Sequence, residues 1–161
     1  MSTPFHRPQP IFRPRTAFVE LDQTPDHYAR RLYDGEWLRL VKGYGYGADI
    51  LDALGNGFGT IPANVQGDEL RAERRRRRKL AAGLLVPVDQ GRVDIPGADP
   101  ILLLRDLYPD VDRFWLPLVD IQALRTADRR FRQGMDFPVL GHKLHPWYGT
   151  YAPKRLSLIH I

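Results

Sequence analysis

Five consecutive arginines, Arg74 to Arg78, lie inside a stretch that reads as one helix from Gly67-Asp68 to about Leu85. Successive helical residues are turned by about 100°, so five in a row occupy the whole circumference. Leu70, Leu80 and Leu84 mark one apolar side. At least one guanidinium must therefore lie near the core-facing side, its stem along apolar surface and its head reaching for a polar partner. The segment Arg71 to Lys79 carries seven basic residues and one acid, whereas the rest of the chain has 17 basic and 18 acidic residues. The net charge of +5 is thus the property of one segment. Arginine outnumbers lysine 20 to 4 over the whole chain, so no single Arg points strongly to phosphate. As a group, Arg74, Arg75, Arg76, Arg77 and Arg78 admit nucleic-acid contact through counterion release. They equally admit a solvated helix, or one packed on an acidic partner.

Proline and glycine punctuate the remainder. Residues 1–16, with Pro4, Pro8, Pro10 and Pro14, read as a mobile or extended leader. Thr24-Pro25-Asp26 starts a helix that runs to about Tyr33 and stops at Asp34-Gly35. Trp37 to Val41 is a strand or a short helix. Gly43 leads a helix to Leu54, ended by Gly55 to Gly59. Leu85 to Val88 is extended, and Asp89-Gln90-Gly91 turns it. Helices are expected from Asp99-Pro100 to Leu107 and from Leu116 to Gln133, the latter closed by Gly134. From Phe137 to Arg155 the chain reads as extended and turn-rich. The expected fold is mainly α with a short β element near Val139 to Tyr151, an α+β class: a leader (1–16), a helical domain (17–136) and a hairpin-like junction (137–155).

The length of 161 residues suits one domain, and no apolar run approaches the roughly 18–20 residues of a membrane span. There is no cysteine, which excludes disulfides, thiol catalysis and Cys-ligated metals, and makes the cytoplasm the default compartment. Gly43-x-Gly45-x-Gly47 follows a short extended run and is either a cofactor-approach loop or simple helix entry. A ribose-binding acid about 20 residues on, at the end of a second strand, does not follow it. His142 and His145 are three apart, but Gly141 and Pro146 argue against the helix that would let them share a metal. No Walker loop, HExxH or Ser/His/Asp motif occurs.

Two stretches carry a resemblance: Leu84-Leu-Val-Pro-Val-Asp89, and Pro138 to Arg155, in which Leu140, Gly141, Leu144, His145, Pro146, Tyr148, Gly149, Tyr151, Pro153 and Arg155 occur in order. They resemble the N-terminal part of a bacterial group of class I S-adenosylmethionine-dependent methyltransferases. In that group a helical domain precedes a Rossmann-like catalytic domain bearing an Asn-Pro-Pro-aromatic motif. Neither that motif nor an acidic-x-Gly-x-Gly-x-Gly turn is present; Asn56 and Asn64 are both far from any Pro-Pro. The resemblance implies a substrate-presenting domain without its catalytic domain, needing S-adenosylmethionine only in the complete enzyme and binding none itself. The implied partners are the catalytic domain and a nucleic-acid or protein substrate, with no membrane. Tyr148, Gly149, Tyr151, Pro153 and Arg155 would line the methyl-transfer cleft, Arg155 either steering an anion or capping the next helix. The apolar end, Leu156 to Ile161, reads as a spurious tail. The alternative is a non-enzymatic helical module that binds nucleic acid through Arg74 to Arg78.

Overall fold

The computed structural model describes residues 7–20, 22–57 and 63–145. In chain order the elements are β1 (Ala17–Phe18), α1 (Pro25–Tyr33), β2 (Leu38–Arg39), α2 (Tyr44–Asp52) running into a π-helical turn (Ala53–Gly57), α3 (Asp68–Ala81) and β3 (Leu84–Asp89). They continue with β4 (Arg92–Val93), α4 (Leu103–Leu107), β5 (Arg113–Pro117), α5 (Leu118–Gln133), β6 (Met135–Phe137) and β7 (His142–Leu144). The class is α+β.

Helix exceeds strand, as expected, but beyond the short β element expected near Val139 to Tyr151 the chain has a five-stranded mixed sheet, β1 to β5. β3 is the central strand. One of its edges is shared by β2, parallel at Leu84 and Leu85, and by β4, antiparallel at Val88 and Asp89. The other edge pairs with β5 over five residues, from Leu85↔Pro117 to Asp89↔Arg113. β1 extends the sheet beyond β2, again parallel. The parallel pairs need crossovers, and α1 and then α2 with α3 supply them. The β3–β4 connection is a two-residue hairpin in which Gln90 (φ 50°) and Gly91 (φ 75°) both have positive φ, the geometry that matches strand twist.

Pro87 sits in this central strand without a penalty. The Leu85 carbonyl accepts from the amide of Leu40, and the Pro87 carbonyl accepts from Asp94. Residues 85 and 87 therefore face the same edge, and Pro87 falls in the seam where β2 has ended and β4 is not yet paired. A missing N–H costs nothing there.

Leu38, Leu84, Val86, Val88, Phe114 and Leu116 share one sheet face by register and form the core with Tyr28, Leu32, Ile50, Leu54, Ile121 and Leu124 of the helices. On the opposite face Arg39 lies 3.8 Å from the centre of the Phe18 ring and 5.8 Å from that of Trp115, and donates to the Thr16 carbonyl. The described part of the Pro-rich leader is held, not free. Ile11 and Trp115 exchange backbone hydrogen bonds of 3.0 and 2.8 Å along the outer edge of β5. Arg7 donates to the Leu107 carbonyl and to Asp110, and Tyr108 donates to the Pro8 carbonyl. The leader thus blunts a sheet edge that would otherwise present unpaired backbone.

Helix limits differ from expectation where strands take the residues. α3 ends at Ala81, not Leu85, because Leu84 and Leu85 pair with Leu38 and Arg39. α5 begins at Leu118, not Leu116, because Leu116 precedes a proline and belongs to β5. α4 begins only at Leu103, whose backbone amide donates to the Asp128 carboxylate. The β element expected near Val139 to Tyr151 is shifted toward the N-terminus: β6 pairs with β7, Met135 opposite Leu144 and Phe137 opposite His142, and residues 146–151 lie outside the described residues.

Gly47 tests how α2 is seated. A Cβ there would stand 2.3 Å from Leu40 Cδ2 and 2.8 Å from Leu118 Cδ2. Gly47→Ala is therefore expected to lose about 1–3 kcal/mol of stability through overpacking, despite alanine's better helix propensity. Urea unfolding followed by circular dichroism measures it; an unchanged or raised midpoint would show that α2 does not pack this closely.

Candidate functional site

The arginine helix α3 distributes its five guanidinium groups among different surroundings. Arg77 is the one turned inward, only 7% exposed. Its Nε donates to Glu73 Oε1 at 3.1 Å, one helical turn back, and its Nη1 donates to the carbonyl of Leu54 at 2.9 Å. Leu54 lies in the π-helical turn, where widened hydrogen bonding favours a side-chain partner for the backbone. Tyr33 of α1 donates to the same Glu73 oxygen at 3.1 Å. One buried cation thereby ties α3 to α1 and to the π turn. The hydrogen bond from Arg77, aided by that from Tyr33, holds the Glu73 carboxyl below its ordinary range. Arg76 stacks on the Tyr33 ring at 4.7 Å. Arg74, Arg75 and Arg78 are exposed.

Arg74, Arg77 and Arg78 form one wall of a cavity of about 430 Å³. Leu51, Asp52, Leu54 and Gly55 of α2 and the π turn form a second wall, and Val119 and Gln122 of α5 a third. The cavity is amphipathic: apolar side chains from α2 and α5 face cations from α3. Sequence reasoning singled out the arginines but missed Leu51, Asp52, Val119 and Gln122. Their only sequence signal was position on helices whose mutual packing no local pattern reveals.

A second cavity, about 440 Å³, lies along α5 between Asp99-Pro100 and Arg125, Asp128, Arg129, Arg132 and Gln133. Its charges are largely spent on each other. Arg125 pairs with Asp99, Arg132 pairs with Asp128, and the buried Asp128 also accepts from the amide of Leu103 at 3.2 Å, fixing the start of α4. Nearer the first turn of α5, burial raises the Asp120 carboxyl above its usual range.

The other sequence candidates separate. Gly43 to Gly47 is helix entry: the Tyr44 amide at the start of α2 donates to the Pro96 carbonyl at 2.8 Å, and the space beside Gly47 is filled by Leu40 and Leu118. His142 and His145 face different partners, the carbonyls of Leu140 and Phe131 at 2.8 and 2.6 Å. No group of three or more potential metal-binding side chains occurs among the described residues. Tyr148, Gly149, Tyr151, Pro153 and Arg155, and the tail Leu156 to Ile161, lie outside the described residues. No helix among the described residues is long and apolar enough to cross a membrane. No family model, curated protein or solved structure matches the chain.

Arg77→Ala is expected to cost about 3 kcal/mol, because it leaves the Glu73 carboxylate without its cation and the Leu54 carbonyl without its donor. Arg75→Ala, on the exposed face, should stay within about 0.5 kcal/mol of the parent. Chemical denaturation of the two variants checks the contrast; equal losses would remove Arg77 from its structural role. The folded Glu73 carboxyl titrates below its unfolded value. Its stabilising contribution is therefore fully present above the unfolded pKa and disappears as pH falls through the lower, folded one. Glu73→Gln should accordingly flatten the acid-side decline of the melting temperature, measured between about pH 5 and pH 2.

Proposed function

We propose that this chain is the substrate-presenting N-terminal domain of a cytoplasmic S-adenosylmethionine-dependent methyltransferase, with methyl transfer carried out by a catalytic domain joined beyond Arg155. The observation that carries the reading is the ordered series Leu140, Gly141, Leu144, His145, Pro146, Tyr148, Gly149, Tyr151, Pro153 and Arg155, which resembles the junction of that enzyme group. Two structural features support it. The described part of the series falls in the turn (Leu140, Gly141), in β7 (Leu144) and just after it (His145) of the β6–β7 hairpin, which is separate from the five-stranded sheet and follows α5. The hairpin's turn exposes Val139 and Leu140, 68% and 49% accessible, an apolar tip suited to contact with an adjoining domain. S-adenosylmethionine would supply the methyl group from the catalytic domain. The residues of this chain would bind and orient the acceptor, with Tyr151 and Arg155 at the cleft.

The experiment starts from the coding DNA that continues the Arg155 codon. It is expected to encode a strand ending in an acid, a Gly-x-Gly-type turn and, later, Asn-Pro-Pro-aromatic. In that full-length protein, removal of residues 1–136 should leave S-adenosylmethionine binding intact while lowering kcat/KM for the acceptor at least about tenfold, roughly 1.4 kcal/mol of lost stabilisation. Absence of the encoded motifs, or full activity without residues 1–136, would overturn the proposal. Arg155→Ala and Tyr151→Ala should lower kcat and kcat/KM together with melting temperature nearly unchanged. A loss of stability alone would make the junction a structural hinge.

A further inference from the structure

We propose that the cavity between α2, α3 and α5 is a nucleotide-binding site, in which Arg74 and Arg78 take a phosphate and a heterocyclic base lies against Leu51 and Val119. This goes beyond the methyltransferase reading and does not rest on it, since none of these residues belongs to the junction series.

The charge pattern comes first. Arg7, Arg31, Arg71, Arg77, Arg113, Arg125 and Arg132 each pair with a carboxylate. Arg74 and Arg78 line a cavity, one helical turn apart, and form no ion pair with a carboxylate among the described residues. That includes Asp52, which lines the same cavity. Residues four apart on a helix project side by side, so the two guanidinium groups can close on one tetrahedral anion, each offering a planar fork of donors. The inward Arg77 adds no competing demand, because Glu73 and the Leu54 carbonyl already hold it. The second cavity lacks this opportunity: two of its three arginines are neutralised by Asp99 and Asp128.

The remaining walls select the rest of the ligand. Leu51 and Val119 are only partly buried by the core, and their free surface faces the cavity. A bare inorganic anion would leave that surface wet; a flat apolar body would cover it. The Gln122 side chain forms no hydrogen bond among the described residues and offers both donors and an acceptor, while Thr126 donates to its backbone carbonyl. Asp52 offers acceptors only: it repels a second negative group, which disfavours a dicarboxylate, and it calls for a donor on the ligand, which the hydrocarbon tail of a fatty acid lacks. A ligand with one anionic end and a ring carrying N–H donors meets all four conditions. That is a nucleotide, either free or as a unit of a single-stranded chain. The volume of about 430 Å³ falls in the usual range of small-molecule sites, about 300–1,000 Å³.

Calorimetric titration of the 161-residue chain with adenosine and cytidine monophosphates, a single-stranded oligonucleotide and inorganic phosphate tests the assignment. Mononucleotides or the oligonucleotide should bind at least about tenfold more tightly than inorganic phosphate. Binding of the mononucleotides identifies a free nucleotide as the ligand, and binding of the oligonucleotide alone identifies the polymer. Arg74→Gln with Arg78→Gln should weaken that binding at least about tenfold, whereas Arg75→Gln with Arg76→Gln, an equal change in charge, should alter it less than about twofold. Gln122→Ala should weaken the nucleotide and not inorganic phosphate. Should the double variant melt early, Val119→Glu, on the partly exposed wall, makes the same test by placing a carboxylate in the cavity. Equal losses from both arginine pairs, equal binding of inorganic phosphate, or no nucleotide binding up to millimolar concentration would each overturn the proposal.

Discussion

The pairing of β3 on both edges is the constraint on which the rest of this structure depends. β2 and β4 share one edge end to end, and β5 covers the other. Because β2 is parallel and β5 antiparallel to the same strand, α2 and α3 must cross back over the sheet before β3, while α5 leaves directly from β5. The alternating side chains of β3 then fix where the core lies: Leu84, Val86 and Val88 enter it, and Leu85 turns to the face where Arg39 stacks on Phe18. A one-residue slip would exchange these two sets. Pro87 opposes such a slip, since its missing N–H is harmless only in the seam between β2 and β4.

Upon this frame a buried cation locks the helical layer. Arg77 is expensive to bury, and its hydrogen bonds to Glu73 and the Leu54 carbonyl offset that cost. The same contact serves the π-helical turn. The turn's geometry and the inward arginine are therefore mutually dependent, and both stand at the border of the α2–α3–α5 cavity. Stability and a potential binding surface are built from adjacent residues of one helix: Arg77 serves the first and Arg74 and Arg78 the second.

The chain's two flanks are treated differently by the fold. The Pro-rich segment before β1 joins the domain through Ile11, Arg7 and Pro8, closing the outer edge of β5. The β6–β7 hairpin stays outside the main sheet and touches α5 through His145 and the Phe131 carbonyl. Val139 and Leu140 at its turn are exposed.

Amino-acid order alone determined the helices that have local punctuation. Thr24-Pro25 and Asp34-Gly35 bound α1, Gly43 leads α2, and Gly134 closes α5, because proline, glycine and capping residues act through their own backbone preferences. Periodicity also required one inward arginine in Arg74 to Arg78. Tertiary structure decided the rest. β1, β2 and β4 are two residues long, too short to alternate, and β3 is buried on both faces at Leu84 to Val86, so no period of two exists to be read. Which arginine turns inward depended on Leu54 and Tyr33, respectively 23 and 40 residues before their partners. The cavity walls come from three helices that meet only when the sheet is assembled. Local preference is encoded residue by residue; pairing and convergence are long-range, and they exist only once β3 has gathered its neighbours.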